Sequence, residues 1–359
     1  MNNLDFFYQQ QSPYSLAAAE KQLALQQHLN ALDAHHQQHC ELYRRIASSL
    51  AQSGWFGQQV YLPVRLFKQF ELKSVTQDDV FKVLTSSGTT SQQVSRIVLD
   101  RQTAAHQSKV LVKIMQHYLG VQRLPMLIID HPSVVKDRLS FSARGAGILG
   151  LSTFGRDHTY ALDDDMQINL ERVQAFIEKH QGKPVFIFGF TFMVWQYFFQ
   201  VLQQNGQRLD LAGSVLVHSG GWKKLIDIAV DNSVFKQVAL DTCGIQRVHN
   251  FYGMVEQVGS IFVECPHGYL HAPDYADIDI VDAQTMQKMP FGQQGLIAVS
   301  SVLPSSYPGH RLLTEDLGTV FGEDDCLCGL NGKYFHVHGR LPKAEVRGCS
   351  DTHAAEVKS

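Results

Sequence analysis

Apolar and polar positions along this chain fall into two regimes. Over residues 15–52 there is no proline, and Leu16, Leu23, Leu29, Leu32, Leu42, Ile46 and Leu50 recur at broadly helical spacing. This predicts one or two surface helices preceding the body of the protein. His28, His35, His36 and His39 are expected on a solvated helix face rather than at a metal. Further on, short apolar runs alternate with longer amphipathic ones. Val80, Phe81, Val83 and Leu84 form one run, and Val94 opens another that ends at Leu99. Residues 101–119 read as a helix stopped by Gly120, and 124–129 as a buried strand running into Asp130-His131-Pro132. A helix is expected over 165–179, a strand over 184–188 and a strongly apolar helix over 190–205. The next strand, 211–217, is followed by the turn Ser219-Gly220-Gly221. Repeated strand–loop–helix units predict an α/β sheet with ligands at the loops after the strands. Residues 278–281 and 295–301 read as strands of a later sheet with more hairpin character.

Composition narrows the class. The 359 residues suffice for one large domain or two medium ones, and 44% apolar with 18% charged residues is an ordinary enzyme-like balance. A net charge of −3 without a long basic run gives no reason to expect nucleic acid as a partner. The first residues lack the basic and apolar regions of a signal peptide, and the best apolar stretch, 185–199, is too short to span a membrane. Six cysteines in a chain of this length do not make a disulfide scaffold. A cytoplasmic protein with reduced thiols is the expectation.

The most informative segment is Thr85-Ser86-Ser87-Gly88-Thr89-Thr90-Ser91-Gln92, set between two apolar runs. Its hydroxyls and backbone N–H groups carry little bulk and suit the oxygens of a polyphosphate, although a polar hairpin turn has the same composition. It lacks the Gly-Lys-Ser/Thr ending of a Walker loop. In Asn250-Phe251-Tyr252-Gly253-Met254-Val255-Glu256, an aromatic beside a glycine precedes an acid, offering a stacking face and a carboxylate for Mg²⁺ or a ribose. Asp316, in Leu313-Thr314-Glu315-Asp316-Leu317-Gly318, is a plausible acceptor for vicinal ribose hydroxyls, and His338-Gly339-Arg340 completes the series.

The order of these segments resembles the adenylate-forming superfamily of acyl-CoA ligases, luciferases and nonribosomal adenylation domains. The resemblance implies that Ser86, Ser87, Gly88, Thr89 and Thr90 grip the phosphates of ATP. It places Tyr252 and Gly253 at the adenine, Glu256 at Mg²⁺, Asp316 at the ribose and Arg340 in the hinge. Ser219, Gly220 and Gly221 resemble the turn that borders the adenine. Val255 stands where the superfamily usually has Thr or Ser, and the lysine-bearing C-terminal domain is expected to be largely absent. The expected fold is therefore an adenylate-forming α/β domain, the large N-terminal domain of that superfamily. The expected organisation is an N-terminal helical segment (1–75), the adenylating domain (76–338), and a hinge remnant with a mobile tail (339–359).

The ending, from Arg340 through Cys349 to His353, is similar to that of LuxE-type acyl-protein synthetases, as are Asn250 to Gln257 and His218-Ser219-Gly220-Gly221-Trp222-Lys223. The likeness implies ATP-dependent activation of a fatty or other carboxylic acid, capture of the acyl group on Cys349, and transfer to a partner acyl-protein or acyl-CoA reductase. An acyl-adenylate is a mixed anhydride with a good leaving group, so a thiolate suffices as nucleophile. Arg347 and His353 favour that thiolate, while Asp351 opposes it. Two rival readings remain: a ligase passing the acyl group to CoA or a carrier protein, and a catalytically silent binding subunit.

Arg144, Gly145 and Trp195 are candidates for the acyl entrance and pocket, with the apolar helix otherwise core. Cys265, His271, Cys326 and Cys328 offer soft ligands for a structural zinc, with His267 competing for the nitrogen position. Phenylacetate-CoA ligase-like enzymes have a similar arrangement.

Overall fold

The computed structural model describes residues 4–52, 54, 59–86, 94–135, 143–222 and 229–341. Fourteen strands are described: β1 (Leu62–Pro63), β2 (Lys82–Thr85), β3 (Arg96–Leu99), β4 (Leu124–Ile128), β5 (Gly155–Tyr160), β6 (Phe186–Phe190), β7 (Val215–Ser219), β8 (Arg247–Tyr252), β9 (Phe262–Glu264), β10 (Leu270–His271), β11 (Ala276–Val281), β12 (Gln294–Ser301), β13 (Arg311–Glu323) and β14 (Lys333–Arg340). They belong to two compact units. One spans Tyr118–Tyr252; the other gathers residues from Met1–Ser86, Ser91–His117 and Gly253–Glu345.

In the Tyr118–Tyr252 unit five strands run parallel in the order β8-β7-β6-β4-β5. In β4, β6 and β7 the residues Met126, Leu127, Ile128, Phe186, Phe188, Leu216 and Val217 are buried, and the near-continuous apolar runs are what a strand covered on both faces requires. The chain places β5 on one side of β4, then returns to place β6 on the other. The carboxyl ends of β4 and β6 therefore flank the point where strand order reverses, where open α/β sheets bind ligands.

Helices Ala143–Ser152, Leu170–Lys179 and Asn232–Cys243 belong to this unit, as does an apolar helix running from Thr191 to Gln204. The Leu170–Lys179 helix starts later than expected. Asp163 accepts the backbone N–H groups of Asp165 and Gln167 to hold a turn, and Asn169 Oδ1 then caps the helix on Arg172 N at 2.9 Å. The apolar helix carries a π turn at Trp195–Phe199, a local widening that hydrophobic spacing alone does not reveal. β7 begins at Val215 rather than 211, because Ser214 N bonds Leu211 O in a turn.

The second unit is built on antiparallel pairing, β11-β12-β13-β14-β10-β9, with β1 parallel to β13. β2 and β3 form a separate hairpin. Tyr61, Val281, Leu296, Ala298 and Leu313 pack as one core cluster. The helices Ala18–His39 and Glu41–Gln52 appear where the leucine spacing places them, with Leu16, Leu29 and Leu32 buried. His36 is not on a solvated face. It is fully buried, with its ring nitrogens 2.7 Å from Ser74 Oγ and 3.0 Å from Pro304 O, and it stacks on His310. Burial first, then the charges of His310 and His35, hold its pKa well below 6.5, so the imidazole is neutral.

Candidate functional site

Neighbouring strands of the parallel sheet bring two of the expected segments together. Ser219 ends β7 opposite Phe251 of β8, and its hydroxyl donates to Phe251 O at 3.0 Å, which sets the Ser219-Gly220-Gly221 turn beside the strand that ends at Tyr252. Gly220 has φ +85°, and a Cβ there would stand 3.1 Å from the Phe190 ring, so both backbone conformation and space ask for glycine.

At the strand-order reversal lies a buried charged group. Arg144 (2% exposed) holds Nε 3.0 Å from Asp130 Oδ2, an ion pair, and Asp130 is 1% exposed. The same guanidinium reaches His131 Nε2 at 3.1 Å and Met193 Sδ at 3.6 Å. Burial pushes the Asp130 carboxyl up to about 6, against the opposing effects of Arg144 and the His131 backbone N–H. Arg144 was expected at the acyl entrance; in the structure its charge is engaged by Asp130. Asp130 and His131 were visible only as the residues after a strand. The strand order that makes that position special is a tertiary property.

Gly145 is buried, and Gly147 lies so close to Phe190 that a Cβ would stand 3.1 Å from the ring. Trp195 is buried, stacked on Phe235 at 5.9 Å and edge-on to Trp222.

In the antiparallel unit, Ser86 closes the base of the β2–β3 hairpin: its N–H donates to Ser95 O and its Oγ accepts from Ser95 N at 2.8 Å. Ser87, Gly88, Thr89 and Thr90 lie outside the described residues, and so does Cys349. Gly253 is exposed, and Glu256 sits on a single 3₁₀ turn, Val255–Gln257, 8% exposed. Burial raises the Glu256 carboxyl pKa, and the Ser95 side chain and its own backbone N–H, then the positive charges of Lys68 and Arg340, pull it back. Asp316 faces Arg340 across the β13–β14 ladder, and Arg340 Nε stands 3.4 Å from Asp316 Oδ1. Two residues expected separately at ribose and hinge are thus one ion pair.

Cys265, His271, Cys326 and Cys328 also converge, with every ligand atom within 4.8 Å of the others and Cys328 Sγ 3.3 Å from His271 Nε2. His267 is exposed and outside the group. Burial pulls His271 down to about 4, with the charge of Lys21 the next cause. Its imidazole is therefore neutral near pH 7, as a metal ligand must be.

The fold resembles that of solved adenylate-forming CoA ligases. A structure of 2-hydroxyisobutyryl-CoA ligase, in an open conformation with 2-HIB-AMP and CoA, matches with a TM-score of 0.70 at 16% identity, over 92% of this chain and 77% of that one. The same ligase in its postadenylation state gives 0.69 at 16% identity, over 92% and 70%. The chain belongs to the acyl-protein synthetase, LuxE family, whose match extends over residues 2–357, and it is an acyl-protein ligase. It is 23% identical over 268 residues to the long-chain-fatty-acid–luciferin-component ligase of Aliivibrio fischeri, covering 72% of this chain and 68% of that one. The Vibrio harveyi protein of the same description is 21% identical over 297 residues, covering 80% and 75%. No described helix is long and apolar enough to cross a membrane.

Proposed function

We propose that the protein activates a fatty acid with ATP, captures the acyl group on Cys349 and delivers it to a partner reductase. The family match over residues 2–357 carries this reading, and the names of the two relatives point to a long-chain acid. A substrate carboxylate oxygen attacks the α-phosphorus of ATP and diphosphate leaves, giving the acyl-adenylate. The Cys349 thiolate then attacks the acyl carbonyl and AMP departs, so one thioester forms for one phosphoanhydride bond broken.

In this reading Ser86, Ser87, Gly88, Thr89 and Thr90 hold the phosphates. Ser219, Gly220, Gly221, Tyr252 and Gly253 border the adenine, and Asp316, positioned by Arg340, accepts the ribose hydroxyls. Glu256 fits a divalent cation: a carboxylate this buried gains from a positive charge that offsets its desolvation. Bound Mg²⁺ would supply charge neutralisation at the phosphates. Arg144 acts on the acyl side through Asp130 and His131, and Gly145 and Trp195 bound the chain pocket. Cys265, His271, Cys326 and Cys328 hold a structural zinc, a donor set that suits it.

Acid-dependent exchange of labelled diphosphate into ATP by the purified chain tests the first step. Exchange stimulated by long-chain acids supports the reading. Its absence with every acid tried would leave a silent binding subunit.

A further inference from the structure

The helix Ala18–His39 carries a lysine that soluble proteins rarely bury. Lys21 is 1% exposed, and its Nζ donates to Ala272 O at 2.9 Å, the carbonyl next to His271. Among the described residues no carboxylate lies within ion-pairing distance of it. Asp277, Asp274 and Glu323 act on it only from farther away; Asp277 is bonded to Lys333, and Asp274 accepts Ser15 N and Leu16 N. A buried ammonium with one carbonyl partner is costly unless a negative charge stands near.

The Cys/His cluster supplies that charge once metal is bound. Zinc with three cysteines and a neutral histidine releases three thiol protons and leaves a centre of net charge −1. Ligand atoms of a tetrahedral zinc stand roughly 3.3–3.8 Å apart, given bonds of about 2.0–2.3 Å, and the 3.3 Å between Cys328 Sγ and His271 Nε2 already fits. Four protein ligands leave no open position, the mark of a structural site. The segment preceding Lys21 is bound to the same turn that carries Cys326 and Cys328. Ala18 N donates to Asp324 Oδ2 at 2.6 Å, Asn331 N to Tyr14 O at 3.2 Å and Asn331 Nδ2 to Ser15 O at 3.0 Å.

We propose that Lys21 is the counter-ion of a closed zinc–trithiolate centre made by Cys265, His271, Cys326 and Cys328, and that zinc thereby docks the Ala18–His39 helix onto the β13–β14 turn. This rests on the reading of the cluster as a zinc site. Outer partners of a metal centre are typically worth about 10–100-fold in metal affinity, so Lys21→Met should weaken zinc binding by that factor.

The test is metal analysis of the full-length chain after expression with zinc, followed by cobalt titration of the stripped protein. One zinc per chain and the visible bands of tetrahedral cobalt thiolate are expected, retained in His267→Ala and lost in Cys326→Ser. No metal and no cobalt bands would overturn the zinc reading and the Lys21 role together. A Lys21→Met protein that binds zinc as tightly as wild type would overturn the Lys21 role alone. If Lys21→Met does not fold, hydrogen exchange of the wild type with and without zinc decides. Zinc-dependent protection of the Ala18–His39 amides supports the docking, and identical exchange refutes it.

Discussion

Replacing Arg144 by methionine should produce a destabilisation whose size depends on pH. The substitution keeps the apolar stem and removes the guanidinium, stranding Asp130 at 1% exposure. Losing one partner of a buried pair costs roughly 3–5 kcal/mol. The Asp130 carboxyl already sits at about 6 with Arg144 opposing the rise, so without that charge it rises further. A carboxyl raised in the folded state contributes stability that is complete below the unfolded value of 3.8 and is lost as pH climbs through the folded value. The variant must carry an unpaired buried carboxylate, or take up a proton, near neutral pH. Its deficit relative to wild type is therefore small toward about pH 5 and grows as pH rises through about 7. Arg144→Met with Asp130→Leu should recover most of the loss, because replacing both members of a buried pair by apolar groups is often neutral. Urea unfolding followed by tryptophan fluorescence reads the effect, since Trp195 and Trp222 lie in the same unit. A single variant within about 1 kcal/mol of wild type, a pH-independent deficit, or a double variant no better than the single would each refute the reasoning.

Glu256→Gln should lower acid-dependent ATP–diphosphate exchange by roughly 10²–10³-fold, the scale for losing one preorganised charged group at a reacting centre, with the urea midpoint kept. His36→Ala should cost about 1–3 kcal/mol, because Pro304 O and Ser74 Oγ lose their buried partner. Since the folded His36 pKa lies below 6.5, its contribution is present above that value and fades as pH falls. The variant's unfolding midpoint should accordingly depend less on acid. Gly318→Ala should destabilise by about 1–3 kcal/mol, because its Cβ would meet His336 O and Ile297 Cδ1 at 2.7 Å. Gly150→Ala, on an open helix face, should be neutral or stabilising by up to about 1 kcal/mol in the same melt.

The elements legible in the sequence were those whose own residues dictate them. The Arg101–Leu119 helix emerged with its expected ends, bounded by Gly120 at φ +82°. The apolar runs of β4, β6 and β12 were equally plain. What escaped was decided by partners distant in the chain. His36 reads as one of four similar histidines until Ser74 and Pro304 surround it. Asp130 reads as a strand end until the topology sets it beside Arg144. The Asp316–Arg340 pair depends on the β13–β14 register, which residue spacing does not specify. The choice of His271 over His267 at the cysteine cluster follows from a turn: Gly268 N bonds Cys265 O, and His267 is left exposed.

The mass of the intact protein after incubation with ATP, Mg²⁺ and a panel of fatty acids tests the central claim most directly. A single adduct equal to the fatty acid less water is predicted, dependent on ATP, sensitive to hydroxylamine and absent in Cys349→Ser, while that variant still exchanges diphosphate into ATP. An adduct of the same mass in Cys349→Ser, or adenylate formation by wild type with no covalent acyl group, would contradict it.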